Sequence, residues 1–224
     1  MGTAQRKDAD RGCATSGYRH ACHSHLQRPR GASLDDYLSS EAKFRPSMEQ
    51  VFDLSFRPAE QFQRVIGMFA GGRPVEVPVT SDQRSYLPAT LRRLVHGKQI
   101  GLHHDYHYEL ALCKELKELL DTRTLVSFVV VLQAPDAGGE LFGYGVTPDA
   151  PDAPKMPNGF SWDLVAIEKG YDSASFKCGA GDLFLLASGR CLHRVACVQG
   201  LHARIAMGGF LGLDKSRSRV LFWC

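Results

Sequence analysis

No stretch of this chain is apolar for long enough to cross a bilayer. The longest candidate, Leu125 to Leu132, is broken by Ser127, and a spanning helix needs about 20 apolar residues. The first residues lack an apolar h-region, so no secretory signal is expected. No Cys-x-x-Cys occurs, and the 7 cysteines, at 13, 22, 113, 178, 191, 197 and 224, are odd in number and scattered. That spacing offers no disulfide framework, and a cytoplasmic setting is expected. A strong excess of one charge is missing too. The formal net charge is only +3, and no stripe of Lys and Arg interleaves with aromatics. Neither nucleic acid nor a membrane is expected as a partner. The sequence contains no internal repeat.

What is present is an ordinary globular composition. Over 224 residues, 44% are hydrophobic and 23% charged, enough for one substantial core or two small ones. Residues 1–32 are polar and basic without hydrophobic periodicity, and read as a flexible basic N-terminal arm. Cys13, His20, Cys22, His23 and His25 fall inside it, at a spacing that fits no zinc pattern. Residues 33–224 read as a single domain.

Ser33 is placed to cap a short helix. Pro58 to Phe69 carries Phe62, Val65, Ile66 and Phe69 at helical spacing, and Gly71-Gly72 ends it. Val75 to Val79 suits an edge strand. Pro88 to His96, with Leu91, Leu94 and Val95 on one face, reads as a second short helix. Gln99 to His107 reads as extended, and Glu109 to Leu120 as an amphipathic helix. From Thr124 onward strands dominate: Leu125–Gln133, Glu140–Val146, Asp163–Glu168, Ser173–Cys178, Asp182–Ala187, Arg194–Val198, Ala203–Leu211 and Arg219–Phe222. Short strands between glycine-rich turns indicate a sandwich or jelly roll. The fold class is thus mainly β with flanking helices (α+β). Thr147 to Gly159 holds four prolines, at 148, 151, 154 and 157. A loop of that length is a candidate for substrate contacts, with Phe160 and Trp162 beyond it.

The chemistry concentrates in Gly101-Leu102-His103-His104-Asp105-Tyr106-His107. On a strand, His103 and Asp105 share a face and His104 points away. An imidazole beside a carboxylate is two thirds of a 2-His-1-carboxylate iron site. His107 lies on the same face, as an alternative ligand or a substrate contact. Beyond it the chain holds only His193 and His202. His193 follows the glycine turn Gly179-Ala180-Gly181-Asp182 and an apolar strand, a hairpin able to bring it back to His103. Arg204 comes eleven positions later (204 − 193) in an otherwise apolar run. A guanidinium there needs an anion, and it binds carboxylates bidentately.

His103-x-Asp105, Gly138-Gly139-Glu140-Leu141, Gly181-Asp182-Leu183, His193 and Arg204, in that order, resemble the Fe(II)/2-oxoglutarate-dependent oxygenase superfamily. Within it the chain is similar to the prolyl-4-hydroxylase-like branch. The Gly-Gly-Glu turn and the tail from Gly209 to Cys224 also resemble the small alkaloid hydroxylases and halogenases. The resemblance covers about residues 97–224 and implies a double-stranded β-helix (jelly-roll, cupin-like) core there, within one oxygenase domain over 33–224. It implies Fe(II) on His103, Asp105 and His193, 2-oxoglutarate as co-substrate with its far carboxylate on Arg204, and O2 as oxidant. Family members usually place the basic residue about ten positions after the distal histidine. A bulge would absorb the extra residue here, with Arg194 and Arg190 as substitutes. Arg194 is discounted because it faces away from His193.

The reaction implied is hydroxylation of an aliphatic C–H bond of a small-molecule substrate, an amino acid or alkaloid-type metabolite. The related halogenases carry a small residue in place of Asp105, leaving room for halide, so this chain is expected not to halogenate. Peptidyl-prolyl hydroxylation is the alternative within the class. A non-catalytic cupin-like binding protein is the alternative outside it.

Overall fold

Ser33 caps a helix, as its position predicts. Its hydroxyl accepts from the Asp36 amide (3.1 Å), while Asp36 Oδ2 accepts from the Ser33 amide (3.0 Å). Two amides that a helix end leaves orphaned are satisfied reciprocally, and α1 follows over residues 34–39. The computed structural model of the protein describes residues 33–39, 58–105, 114–157 and 161–224, and the backbone of a two-residue strand, β1 (Arg19–His20). The rest of the expected basic arm, with Cys13, Cys22, His23 and His25, lies outside the described residues.

The chain is mainly β with few helices. After α1 come α2 (Pro58–Gly67), β2 (Val75–Glu76), β3 (Thr90–Leu94), β4 (Ile100–His103) and α3 (Lys114–Leu119). Then follow β5 (Val126–Gln133), β6 (Leu141–Tyr144), α4 (Leu164–Gly170), β7 (Ser173–Phe176), β8 (Leu183–Leu186), β9 (His193–Val195), β10 (Arg204–Leu213) and β11 (Val220–Trp223). No helix among the described residues is long and apolar enough to cross a membrane.

Two elements differ in type from the sequence reading. The segment 88–96 holds strand β3, not a helix. Its burial alternates, with Thr90 and Leu94 buried and Arg93 exposed, so pairing and packing override a fortuitous helical spacing. Asp163–Glu168 is not a strand, because Asp163 accepts from the Ala166 amide (3.0 Å) and starts α4. Ile167 is buried on its inner side and Val165 is exposed. Cys197 is disulfide-bonded, where the scattered cysteines predict no disulfide framework.

Contacts divide the chain into two units. One comprises Met1–Arg19, Arg92–Tyr106 and Val129–Ala206; the other comprises His20–Leu91, His107–Phe128 and Met207–Cys224. Strands β3, β5 and β10 contribute residues to both. In the second unit β10 pairs antiparallel with β11, and β11 pairs parallel with β2. The Tyr37 hydroxyl accepts from the Leu87 amide and donates to the Cys224 carbonyl, tying α1 to the chain end. Phe62 of α2 packs on Phe128, ring centroids 5.2 Å apart.

The first unit contains a four-stranded antiparallel sheet in the order β4-β9-β6-β7. Its register lines up two rows on one face. Ile100, Val195, Leu141 and Phe176 form one; His103, His193, Gly143 and Ala174 form the next. Three residue steps on β4, from Ile100 to His103, match two on β9, so β4 carries a bulge. The first row belongs to a core cluster that joins Leu94 of β3 and Phe184 and Leu186 of β8 to Leu141, Val195 and Ile100. The opposite face packs Phe142 and Tyr144 against Ile167, Leu164 and Trp162. Helix α4 therefore backs the sheet and leaves the His103–His193 row to the other side.

Candidate metal centre

The bulge decides where His103 points. With regular alternation Ile100 and His103 would face opposite ways; the extra residue puts both on one face. His193, its cross-strand partner, stands with its ring centroid 4.2 Å away. Asp105 lies two residues past the end of β4. Its amide donates to the Ser188 carbonyl (3.0 Å) in the turn before β9, which turns the carboxylate back between the two imidazoles. Oδ1 is 3.6 Å from His103 Nε2, and Oδ2 is 3.5 Å from His193 Nε2. The three donor atoms all lie within 4.8 Å of one another.

Each ring is oriented by a carbonyl two residues upstream. His103 Nδ1 is 2.8 Å from the Gly101 oxygen, and His193 Nδ1 is 3.3 Å from the Cys191 oxygen. With Nδ1 turned to these carbonyls, both rings present Nε2 to the Asp105 carboxylate, the orientation in which metal-ligating histidines are normally held. Two imidazole nitrogens and one carboxylate converging on one point is the donor set of a non-haem Fe(II) site. The residues present fit that ion. Asp105 and His193 are buried, while His103 keeps 34% of its side chain exposed at the lip.

The two imidazoles differ electrostatically. Burial, then the neighbouring His193, pulls His103 down to about 4, against the pull of Asp105. Burial also opposes a charge on His193, but the hydrogen bond and charge of Asp105 outweigh it and push His193 up to about 9.

Arg204 opens β10 and is 6% exposed. Burial pushes its pKa down, the Cys178 thiol opposes that shift, and Arg92 adds to it. No carboxylate pairs with it among the described residues. Its stem runs against the Gly138-Gly139 turn, where both glycines are left-handed (φ 71°). A Cβ on Gly139 would stand 3.1 Å from Arg204 Cδ and 2.9 Å from Pro135 Cγ; one on Gly138 would strike the Cys197 carbonyl. The eleven steps from His193 to Arg204 need no bulge. The chain leaves β9 at Val195, turns at Gly200 (φ 98°) and re-enters a strand at Arg204. Asp136 holds that turn, accepting from the Leu201 and His202 amides and meeting His202 Nδ1 at 2.6 Å. His202 is thereby a turn residue.

Arg194 faces the other way, as alternation predicts. Its Nε donates to the Tyr144 hydroxyl (2.7 Å), its Nη2 to Glu168 (3.0 Å), and its guanidinium lies 4.3 Å from the Phe142 ring centroid. His104 is on that side too, edge-on to Trp162 at 6.2 Å. Trp162 therefore does not contact the triad face, in contrast to its expected role at a substrate mouth. Phe160 and His107 lie outside the described residues. The sequence reading missed Arg92, on the strand mistaken for a helix. Its Nε is buried without a hydrogen-bond partner among the described residues.

The fold and donor set define the class, that of the Fe(II)/2-oxoglutarate-dependent oxygenases, which are enzymes. The family model of the carrier-protein-independent halogenase WelO5 matches residues 25–224, and the chain belongs to that family. No curated protein sequence matches. Among solved structures, the N-substituted L-amino acid dioxygenase of Burkholderia ambifaria AMMD in complex with alpha-KG is 15% identical, with a TM-score of 0.57 over 95% of this chain and 79% of that one. A second structure of that dioxygenase has 15% identity and a TM-score of 0.52, covering 85% and 76%. A Pseudomonas putida prolyl-4-hydroxylase is 18% identical over 82% and 67%, at a TM-score of 0.34 that carries no argument. At these identities the likeness is one of fold.

Proposed function

We propose that this protein hydroxylates an aliphatic C–H bond of a small-molecule metabolite of amino-acid or alkaloid type. His103, Asp105 and His193 hold Fe(II), and Arg204 receives the far carboxylate of 2-oxoglutarate. The observation that carries the reading is the convergence of three donor atoms within 4.8 Å on the sheet face away from α4. Arg204 supports it as a buried guanidinium with no carboxylate partner among the described residues, which a ligand carboxylate would supply. Residues 33–224 are read as one oxygenase domain with a double-stranded β-helix core over about 97–224. The cluster joining β3 and β8 to the four-stranded sheet supports that reading. The amino-acid dioxygenase that shares the fold supports a small substrate.

Iron(II) with 2-oxoglutarate and O2 supplies the oxidant: C–H becomes C–OH while 2-oxoglutarate becomes succinate and CO2. The protein's share is placement. The Gly101 and Cys191 carbonyls hold the imidazole tautomers. The Ser188 carbonyl holds Asp105 in line, and the Gly138-Gly139 turn gives the Arg204 stem its path. Asp105 also separates this chain from the reaction in its family's name. A halogenase must offer its metal a halide, which takes a coordination position; here a carboxylate takes it.

The test is succinate formation from 2-oxoglutarate with added Fe(II), followed by mass analysis of candidate substrates. Succinate together with products that gain one oxygen is expected. Chlorinated product from the unmutated protein in chloride buffer refutes the hydroxylase assignment, and no succinate under any condition refutes the class of reaction.

A further inference from the structure

Arg92 is the cation that the proposed reaction leaves unused. It sits at the centre of β3, two residues from Thr90 on one side and Leu94 on the other. Those two are buried while Arg93 is exposed, so alternation turns Arg92 inward with them. Leu94 packs with Leu141 and Val195, which share a face with Gly143 and His193 one row along. Arg92 therefore faces the side of the sheet that carries the triad. Its charge disfavours the protonated form of Arg204. Its Nε is nonetheless fully buried and makes no hydrogen bond among the described residues.

The charges that meet on this face are informative. Iron(II) brings two positive charges, Asp105 one negative, 2-oxoglutarate two negative and Arg204 one positive. With the imidazoles neutral these cancel. Arg92 then remains as one uncompensated positive charge in a partly buried setting, which is unfavourable unless an anion meets it. Gly143 stands opposite His193, and among the described residues nothing lies within 4 Å of a Cβ built on it, which leaves space there for a molecule that brings one. The next residue in the row is Ala174. Beside the triad the sheet thus presents an open, small-residue lane instead of packed side chains.

We propose that Arg92 receives the carboxylate of the substrate, so that the enzyme acts on an anionic small molecule of amino-acid type and not on a neutral alkaloid. The proposal rests on the reading of the site as an iron and 2-oxoglutarate centre. A guanidinium fork pairs with a carboxylate through two parallel hydrogen bonds. A site built around that pair discriminates strongly against an ester or amide, which leaves the fork unpaired.

The experiment uses the full chain loaded with Fe(II) and 2-oxoglutarate with oxygen excluded, so that no turnover occurs. Binding is read from the visible charge-transfer band of the iron–2-oxoglutarate chelate. The probes are N-acetyl-L-amino acids with aliphatic and aromatic side chains, each beside its methyl ester. At least one acid is expected to perturb the band, with its ester binding about a hundredfold more weakly or worse. Arg92→Gln should erase that difference while leaving the 2-oxoglutarate affinity within about threefold, and Arg92→Lys should restore part of it. The intact band in Arg92→Gln reports that the variant is folded. Equal binding of acid and ester overturns the proposal. So does a panel in which no acid binds, or an Arg92→Gln variant that loses 2-oxoglutarate as severely as Arg204→Gln. Absence of the band in the unmutated protein is a different failure: it removes the iron and 2-oxoglutarate reading itself, and the role of Arg92 with it.

Discussion

Replacing Arg204 by methionine should have opposite effects on the empty and the ligand-bound protein. Arg204 is 6% exposed and has no carboxylate partner among the described residues. A buried ion without a partner costs several kcal/mol, and apolar replacements of buried ionic groups often stabilise by about 1–4 kcal/mol. Methionine keeps the unbranched stem that lies against Gly139. The ligand-free variant should therefore melt higher than the parent, by about 2–4 °C for each kcal/mol gained. Adding 2-oxoglutarate reverses the order. At 100 times its Kd, the co-substrate stabilises the parent by about 2.7 kcal/mol, or about 5–10 °C. Loss of the buried clamp costs about 2–5 kcal/mol of binding, which raises Kd at least about 30-fold. At the same concentration the variant then gains less than about 1 kcal/mol. Calorimetric melting with a redox-inert divalent metal, with and without 2-oxoglutarate, reads both effects. If the empty variant melts lower than the parent, the side chain is already paired and the argument from an unmet charge is wrong. If 2-oxoglutarate raises both melting points equally, Arg204 is not its anchor.

Three further outcomes follow from the geometry. Gly139→Ala puts a Cβ on a left-handed residue, 3.1 Å from Arg204 Cδ and 2.9 Å from Pro135 Cγ; urea unfolding should show a loss of about 1–3 kcal/mol, and calorimetry a weaker 2-oxoglutarate affinity. Asp105→Gly removes a ligand, so Fe(II) affinity by equilibrium dialysis should fall by more than the roughly 10–100-fold that outer-shell losses cost. Chloride should restore part of it by taking the vacated position, and no chloride effect would count against Asp105 as the group that excludes halide. Burial opposes the charged form of Asp214, but hydrogen bonds from Ser216, Arg219 and Ser218 outweigh it and hold the carboxyl at about 2. That contribution is complete above the ordinary carboxyl value of about 4 and is lost as pH falls through about 2. Asp214→Asn should therefore flatten the acid-unfolding curve between those values, and an unchanged curve would remove Asp214 from the acid-sensitive set.

Much of the candidate site was legible because its chemistry depends on residue type and order. His103, Asp105 and His193 are few in kind, and period-2 alternation separates His104 and Arg194 from them. The structure places both on the α4 side, against Trp162 and Glu168. Arg204 was legible as a charge in an apolar run. Arg92 was not, because Leu91, Leu94 and Val95 match a helix as well as a strand. On a helix Arg92 joins the polar face and carries no message. Only the pairing of β3 with its neighbours, a long-range fact, turns it inward.

The least legible feature is the one on which the metal centre depends. Ile100 and His103 are three residues apart, an odd separation that puts them on opposite faces of any regular strand. Alternation counted from Ile100, which lies in the core cluster, would send His103 toward Trp162 and bring His104 to His193. The bulge reverses that parity, since three steps on β4 oppose two on β9. The one sequence sign of it is Gly101, an isolated glycine inside a strand pattern, which is where bulges are found. The relation between His103 and Asp105 survives any such shift, because both lie beyond the irregularity. That is why a His-x-Asp pair can be read from sequence while the face it occupies cannot. It also means that a change at Gly101 that regularised β4 would leave the pair intact and still turn it away from His193.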